Sequence, residues 1–145
     1  MNLERAVQRP FWSIHRALFR ISGGRIGTQE PSDKRVGTLV LTTTGHKTGQ
    51  ERSTPVFFIR DGDRFVIAAS NSGDERDPAW YLNLSAHPEA SVSVGAPRQV
   101  PVRARDASEE ERSRLWPELA RRFSGYARYE RRTQRQIPVV ILEPR

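Results

Sequence analysis

Cysteine is absent from the 145-residue sequence, and lysine occurs only twice, at Lys34 and Lys47. The lack of cysteine excludes disulfides, iron–sulfur clusters and thiol catalysis, and it favours a cytoplasmic protein. No apolar run approaches the roughly 20 residues that a membrane-spanning helix requires. The amino terminus also lacks a signal-peptide pattern. We therefore expect a single cytoplasmic domain covering residues 1–145.

Motifs for metal binding and hydrolysis are missing as well. The three histidines, His15, His46 and His87, are scattered, so we expect no metal site. Neither a GxSxG elbow nor a GxGxxG fingerprint is present, which leaves no basis for a serine hydrolase or a Rossmann enzyme. His87 precedes a proline and is predicted to end a helix rather than to act as a base.

Positive charge is abundant: the formal net charge is +7. A basic surface attracts phosphates, carboxylates and anionic membranes as well as nucleic acid. Nucleic acid is disfavoured because the aromatic residues do not alternate with cations as a stacking platform requires. Residues 11–21 have helical spacing and two arginines, which predicts a helix on the body or, alternatively, a peripheral contact with the inner face of the cell membrane.

The hydrophobic pattern predicts an α+β fold. Three strands begin near Thr38, Arg52 and Arg64, and Asp61-Gly62 predicts a tight turn between the last two. Two alternating segments near residues 90–104 and a closing strand at residues 137–143 complete six short strands. Consecutive strands follow each other too closely for crossover helices, so we predict a small, mostly antiparallel barrel with peripheral helices. Residues 1–36 would form an amino-terminal helix and loop, and residues 37–145 the barrel.

Local signals place the helix ends and one strand edge. Asp77 and Pro78 are predicted to be the N-cap and first residue of a helix. Ser108 and Glu111 match a capping box for a second helix. Pro55 interrupts the second strand, which predicts an edge, a bulge or a ligand-facing position because proline has no N–H for the ladder.

The first turn, between Thr44 and Arg52, is longer than a minimal hairpin and carries cations between two glycines. Gly45 and Gly49 allow backbone N–H groups to approach a ligand, and Lys47 adds a positive charge. Such a turn is either an anion-binding cradle or a solvated charged loop. The residues alone leave both interpretations open.

Four blocks occur in fixed order: "TTTGHKTGQER", "RDGDRFVIAAS", "PAWYLNLSAHPE" and "IPVVILEP". Over residues 36–144 the sequence thereby resembles the deazaflavin-dependent nitroreductase family. These are oxidoreductases with a split β-barrel, similar to the FMN-binding barrels, that use coenzyme F420. The resemblance implies hydride transfer from reduced F420 to a small electron-poor acceptor such as a quinone, an enone or a nitro compound.

The resemblance also implies a set of site residues. The cofactor's phosphate, carboxylate and tail would be held by the turn and the next strand, and the ring would meet a strand end and a helix start. The implied cofactor-binding positions are His46, Lys47 and Thr48; Arg52, Ser53, Thr54, Pro55, Val56 and Phe57; Ala68, Ala69, Ser70 and Asn71; and Ala79, Trp80, Tyr81, Leu82 and Asn83. Tyr126 and Tyr129 match the aromatic wall where the acceptor is expected, as the implied catalytic residues, and Tyr126 would also contact the cofactor.

Departures from the family pattern limit what the resemblance implies. His46 stands where relatives usually have arginine, and Phe123 and Arg132 replace a tyrosine and a tryptophan of the wall. The acceptor, including any nitroimidazole, therefore does not follow, and neither does the oligomeric state. The alternatives are an FMN-dependent oxidoreductase on the same barrel and a non-catalytic deazaflavin-binding protein.

Overall fold

Six antiparallel strands close into a barrel in the computed structural model, which describes residues 27–95 and 98–145. The strands are β1 (Gly37–Thr44), β2 (Glu51–Asp61), β3 (Arg64–Ala68), β4 (Glu89–Ser93), β5 (Val100–Asp106) and β6 (Val139–Pro144). They follow the order β1-β2-β3-β6-β5-β4, and β4 pairs with β1 to close the ring. The helices are α1 (Ala79–Ala86), α2 (Glu109–Arg122) and α3 (Gly125–Arg132). The predicted α+β barrel is confirmed, whereas the predicted amino-terminal helix lies outside the described residues.

Alternation along the strands builds two hydrophobic cores. In β3, Phe65 and Ile67 point into the barrel, whereas Val66 and Ala68 face the outer helix layer. The same period of two continues in the neighbouring strand β6. The inner core contains Leu39, Leu41, Phe58, Phe65, Ile67, Leu84, Ala90, Val92, Val102, Val140 and Leu142. The outer core joins the barrel to α2 and α3 through Ile59, Val66, Ala68, Leu115, Leu119, Tyr126, Ile137, Val139 and Ile141.

Strand β2 pairs with β1 over most of its length and with β3 only at its carboxyl end. Its register with β1 runs from Glu51 to Phe58, but its register with β3 covers only Ile59, Arg60 and Asp61. Pro55 therefore lies in a part of β2 that β3 does not pair, which agrees with the edge position, one of the three predicted alternatives. This open side places the first half of β2 at the surface, next to the β1–β2 turn.

Two turn and helix boundaries differ from the prediction by one residue. Asp61 pairs with Arg64, so Gly62 and Asp63 are the two turn residues, and the φ of Gly62 is 65°. The N-cap of α1 is Pro78 rather than Asp77, and the helix begins at Ala79. The Asp77 carboxylate is instead 3.0 Å from Arg135 Nη1, because an ion pair satisfies it better than one exposed helix N–H does.

The other predicted helix ends are confirmed. The Ser108 hydroxyl accepts from the Glu111 N–H at 3.2 Å, and the Glu111 carboxylate accepts from the Ser108 N–H at 2.9 Å. His87 is the C-cap of α1, with its N–H donating to the Asn83 carbonyl. Helix α2 continues through Pro117 to Arg122.

Candidate functional site

The β1–β2 turn, residues 45–50, is closed by its own backbone. The Gly45 N–H donates to the Gln50 carbonyl at 2.7 Å, and the Gly49 N–H donates to the Gly45 carbonyl at 2.8 Å. Gly49 has a φ of 73° with open space around it. A Cβ at Gly45 would lie 2.9 Å from the Thr48 hydroxyl, so only glycine fits there. The turn is thus a defined loop with its middle residues at the surface.

Asn83 ties this turn to helix α1. Its Oδ1 accepts from the His46 N–H at 2.9 Å and lies 2.6 Å from His46 Nδ1. Its Nδ2 donates to the Thr43 hydroxyl at 3.0 Å. Asn83 is only 4% exposed, and both ends of its amide are used by the protein. The cofactor-binding role of Asn83 stays a prediction, and in this structure its amide bonds to the turn and to β1.

The cations of the turn are available to an anion. Within the described part of the chain, neither Lys47 nor Arg52 belongs to an ion pair, and both are exposed. Thr48 accepts from the Gln50 N–H at 3.2 Å, so its hydroxyl serves the turn. A hydrogen-bonded loop with Lys47, followed by Arg52 on β2, fits the acidic end of a nucleotide-like cofactor.

Further along β2, the predicted site residues differ in how far their side chains are exposed. The Ser53 hydroxyl lies 2.9 Å from that of Thr42 on β1. Pro55 is buried, Thr54 is partly exposed, and Val56 packs against the inner core. Phe57 is 42% exposed, which makes it one of the two most exposed large apolar residues described. The accessible surface of this segment is therefore concentrated at its two ends, Arg52 and Phe57.

Phe57 begins a cluster of five aromatic rings, with Phe123, Tyr126, Tyr129 and Trp116, the last at 6.0 Å from Tyr126. The Phe57 and Phe123 centroids are 5.0 Å apart, and those of Phe123 and Tyr126 are 4.9 Å apart, both edge to face. Tyr129 completes the cluster at 6.2 Å from Phe123 and 6.3 Å from Tyr126. A Cβ on Gly125 would come within 2.7 Å of the Phe123 ring, so glycine at this position allows the ring to lie there.

The two predicted catalytic tyrosines differ in exposure. Tyr126 is 3% exposed within the outer core, and this burial, with Tyr129 nearby, raises the pKa of its phenol above the ordinary value. Tyr126 is therefore a neutral residue of the cluster interior at physiological pH. Tyr129 is partly exposed and is the tyrosine that an outside molecule reaches.

After β3 the chain enters the β3–α1 loop, residues 69–78. The predicted ring-facing residues lie at its start: Ala69 is fully buried, and Ala68 and Ser70 are 8% and 9% exposed. Asn71 is partly exposed. The side chains of the first three therefore face the protein, and the surface of this segment begins at Asn71.

Helix α1 covers one end of the barrel. Trp80 and Tyr81 pack against the inner core, whereas Ala79 and Leu82 are exposed, Leu82 at 41%. The Tyr81 hydroxyl donates to Asp106 at 2.9 Å, and burial together with this hydrogen bond raises the pKa of Tyr81 to about 12. Tyr81 also lines a pocket of about 190 Å³ with Asp106 and Arg112, but no other predicted site residue reaches that pocket.

Arg135 is a residue that sequence reasoning missed. It lies between α3 and β6 and donates hydrogen bonds into the β3–α1 loop. Being one of 22 arginines, it has no feature in the sequence that distinguishes it. Within residues 27–95 and 98–145, no group of His, Asp or Glu side chains could hold a metal ion. Over the same residues, the helices fall short of the length and apolarity that spanning a bilayer takes.

Comparison with known proteins identifies the class first. A solved structure described as an F420-H2 dependent reductase (FDR-A) is 34% identical and has a TM-score of 0.66, covering 73% of this chain and 93% of its own. A heme storage protein from Vibrio cholerae, 17% identical with a TM-score of 0.53, covers 79% of this chain and 83% of its own and shares the fold alone. The predicted split-barrel fold is thereby confirmed.

The family follows from the sequence. The model of the F420H(2)-dependent quinone reductase family matches residues 12–144. An F420H(2)-dependent quinone reductase of Mycobacterium tuberculosis is 40% identical over 146 residues, which cover 99% of this chain and 96% of that protein. This chain belongs to the F420H(2)-dependent quinone reductase family. The predicted resemblance to F420-dependent oxidoreductases is confirmed.

Proposed function

We propose that this protein is an F420H2-dependent reductase that passes a hydride to a quinone. Family membership supports the cofactor and the reaction class. The structural observation that carries the proposal is the β1–β2 turn: Asn83 holds it rigidly, and Lys47 and Arg52 remain outside every ion pair of the described residues. This arrangement suits a cofactor that ends in phosphate and carboxylates.

The proposed site has a cationic end, which binds the acidic part of the cofactor, and an apolar end. Lys47 and Arg52 bind the acidic part of the cofactor. Phe57 and Phe123 offer an apolar surface at the other end of the exposed stretch of β2, where a flat ring and a flat acceptor lie together with little water. When bound, reduced F420 supplies the hydride. Tyr129, at the accessible side of the cluster, orients the acceptor.

The acceptor we propose is a planar quinone. Reduction of a quinone to a quinol takes one hydride and one proton, so a donor O–H near the acceptor oxygen is useful and a strong base is not. Tyr129 provides that hydroxyl. The neutral Tyr126 ring packs edge to face against Tyr129 from inside the cluster and so fixes its position. The edge-to-face rings favour a flat conjugated guest over an aliphatic one.

Titration of the full chain tests the cofactor. Oxidised F420 and flavin mononucleotide are added separately, and fluorescence quenching gives Kd for each. We expect saturable binding of F420 and weaker binding of flavin mononucleotide, because the two cations match the longer anionic tail. Saturable quenching by neither cofactor would refute the proposal, and tighter flavin binding would favour an FMN enzyme.

The two lysines of the chain provide a matched pair of variants. Lys47→Ala should weaken F420 binding about fivefold, the effect of losing about 1 kcal/mol of an exposed charge contact. Lys34→Ala removes an equal charge from an exposed loop residue of the described chain and should leave Kd unchanged. Equal effects of the two substitutions would show that only net charge matters, and the anion site would then lie elsewhere.

Turnover separates an enzyme from a carrier. Reduced F420 is mixed with the protein and with one of a panel of benzoquinones, naphthoquinones, enones and nitro compounds. The increase in absorbance of oxidised F420 measures the rate of its oxidation. We expect the quinones to be reduced fastest. Tight F420 binding with no oxidation across the panel would support a non-catalytic deazaflavin-binding protein.

We further propose that the basic segment of residues 11–21 contacts the anionic inner face of the cell membrane. The support is its sequence pattern, which pairs an apolar stripe with Arg16 and Arg20. Co-sedimentation of the full chain with anionic and with neutral vesicles tests this. Binding to anionic vesicles that is lost in a double Arg16→Glu, Arg20→Glu variant is the expected result, and no difference between the vesicles would contradict it.

A further inference from the structure

The β3–α1 loop contains three consecutive residues in the left-handed region. The φ angles are 46° at Asn71, 55° at Ser72 and 83° at Gly73. Glycine adopts this region without a steric penalty and asparagine at a small one, so the strain is greatest at Ser72. Short-range contacts secure part of the loop: the Gly73 N–H donates to the Ser70 carbonyl, and the Asn71 side chain donates to the Arg76 carbonyl. A strained segment persists only when its surroundings hold it.

Arg135 supplies that hold from outside the loop. Its Nη2 donates to the Ala69 and Ser70 carbonyls, both at 3.0 Å, before the strained residues. Its Nε donates to the Asp74 carbonyl at 2.9 Å, beyond them. Its Nη1 donates to the Asp77 carboxylate at 3.0 Å. One planar guanidinium therefore joins the start of the loop, at Ala69 and Ser70, to its later part, at Asp74 and Asp77.

The Arg135 side chain is largely buried, with 16% of its surface exposed. It approaches from the short segment between α3 and β6, where the Pro138 carbonyl also accepts from the Ala69 N–H at 2.9 Å. A lysine at this position would present one nitrogen and would leave most of these acceptors unpaired. The contact set thus specifies arginine.

The loop also touches the helix that carries the aromatic cluster. A Cβ on Gly73 would lie 3.1 Å from the Tyr129 Cα and 3.3 Å from the Arg132 side chain. Loop and helix α3 are therefore packed closely, and a shift of the loop would alter the gap between Asn71 and Tyr129. Arg135 lies three residues after the end of α3 and so links both sides of this contact.

We propose that Arg135 is a positioning residue of the reductase, which fixes the β3–α1 loop and with it the distance between the cofactor ring and the acceptor wall. The proposal rests on the function proposed above and on the family resemblance, which implies that residues 68–71 meet the cofactor ring. Arg135 acts through the loop backbone. Its expected signature is a fall in kcat and in F420 affinity, with little change in the stability of the β1–β2 turn.

The experiment compares Arg135→Ala, Arg135→Lys and Arg105→Ala in the full chain. Arg105 is the control, because it bonds to Glu111 and Glu143 and to no residue of the loop. Hydrogen exchange without cofactor should quicken at residues 70–76 in both Arg135 variants, and not at residues 46–50. With F420, we expect Kd to rise and kcat with a quinone to fall by about tenfold or more in both. Non-denaturing guanidinium should partly restore binding and turnover in Arg135→Ala, and should have no such effect in Arg105→Ala.

The outcomes distinguish the two proposals. If the wild-type chain neither binds nor oxidises F420H2, the proposed function fails, while the exchange data still report on the loop. If the wild-type chain is active and Arg135→Ala lowers only the melting temperature, with unchanged Kd, kcat and exchange at residues 70–76, the positioning role is overturned. Should Arg135→Ala fail to fold, Arg135→Lys decides by the same readouts.

Discussion

Replacing Asn83 with alanine should destabilise the protein and loosen the β1–β2 turn at the same time. The substitution removes the acceptor of the His46 N–H, the partner of His46 Nδ1 and the donor to the Thr43 hydroxyl. Asn83 and Thr43 are 4% and 2% exposed, so water does not readily replace these bonds. A net loss of about 1 kcal/mol for each of the three bonds, with a further penalty of about 1–3 kcal/mol for an unpaired buried hydroxyl, predicts a total of about 4–6 kcal/mol.

The functional consequence is separate from the stability loss. Without Asn83, the turn keeps its own backbone bonds but loses its tether to α1, so Lys47 samples a wider range of positions. An anion that binds must then order the turn, and about 1–1.5 kcal/mol of ordering cost corresponds to roughly tenfold weaker F420 binding.

Urea denaturation and F420 titration measure the two effects on the same preparations. Thr43→Val is the matched control, because it removes the bond to Asn83 Nδ2 but keeps the Asn83 Oδ1 acceptor for His46, and it should bind F420 more tightly than the alanine variant does. A free energy of unfolding within 0.5 kcal/mol of wild type, roughly the effect of an ordinary surface substitution, together with an unchanged Kd, would refute the reasoning. The bonds of Asn83 would then contribute nothing to the turn.

Two further predictions concern the rest of the fold. Hydrogen bonds from Arg105 and from the Ser108 N–H lower the pKa of Glu111 below its unfolded value, so its contribution to stability is present above about pH 4.5 and is lost as the pH falls further. Urea denaturation should therefore show the stability gap between wild type and Glu111→Gln shrinking from pH 7 toward about pH 3, and a constant gap would contradict this. Gly125→Ala should cost about 1–3 kcal/mol, because the new Cβ meets the Phe123 ring. In a Phe123→Leu background the same change should cost little, and an equal cost in both backgrounds would exclude the clash as its cause.

Much of the barrel was predictable because its signals are local. Strand alternation, the Asp61-Gly62 turn and the Ser108–Glu111 capping box each depend on residues a few positions apart, so one sequence contains the whole pattern. The edge position of Pro55 follows from its missing N–H. Each of these features was found in the structure, with boundaries shifted by one residue at the turn and at the start of α1.

The parts of the site that depend on distant partners were not predictable. Asn83 reaches Thr43 and His46 across about 40 positions of sequence, and Arg135 reaches the β3–α1 loop across about 60. No periodicity links such pairs. The burial of Tyr126 is similarly hidden, because a tyrosine in a polar helical segment has the same pattern whether its ring faces solvent or a second core.

The difference between local strand patterns and contacts of distant residues also explains how one barrel occurs in proteins with different ligands. The strands and the inner core set the fold, which the chain shares with a Vibrio cholerae heme storage protein at 17% identity. They do not choose a ligand, because the barrel is filled by its own side chains. We propose that the choice of ligand lies with three attachments outside the inner core: the turn bonded to Asn83, the aromatic cluster beside Gly125, and the β3–α1 loop bonded to Arg135. These three attachments depend on few residues each, so they can change while the barrel stays intact.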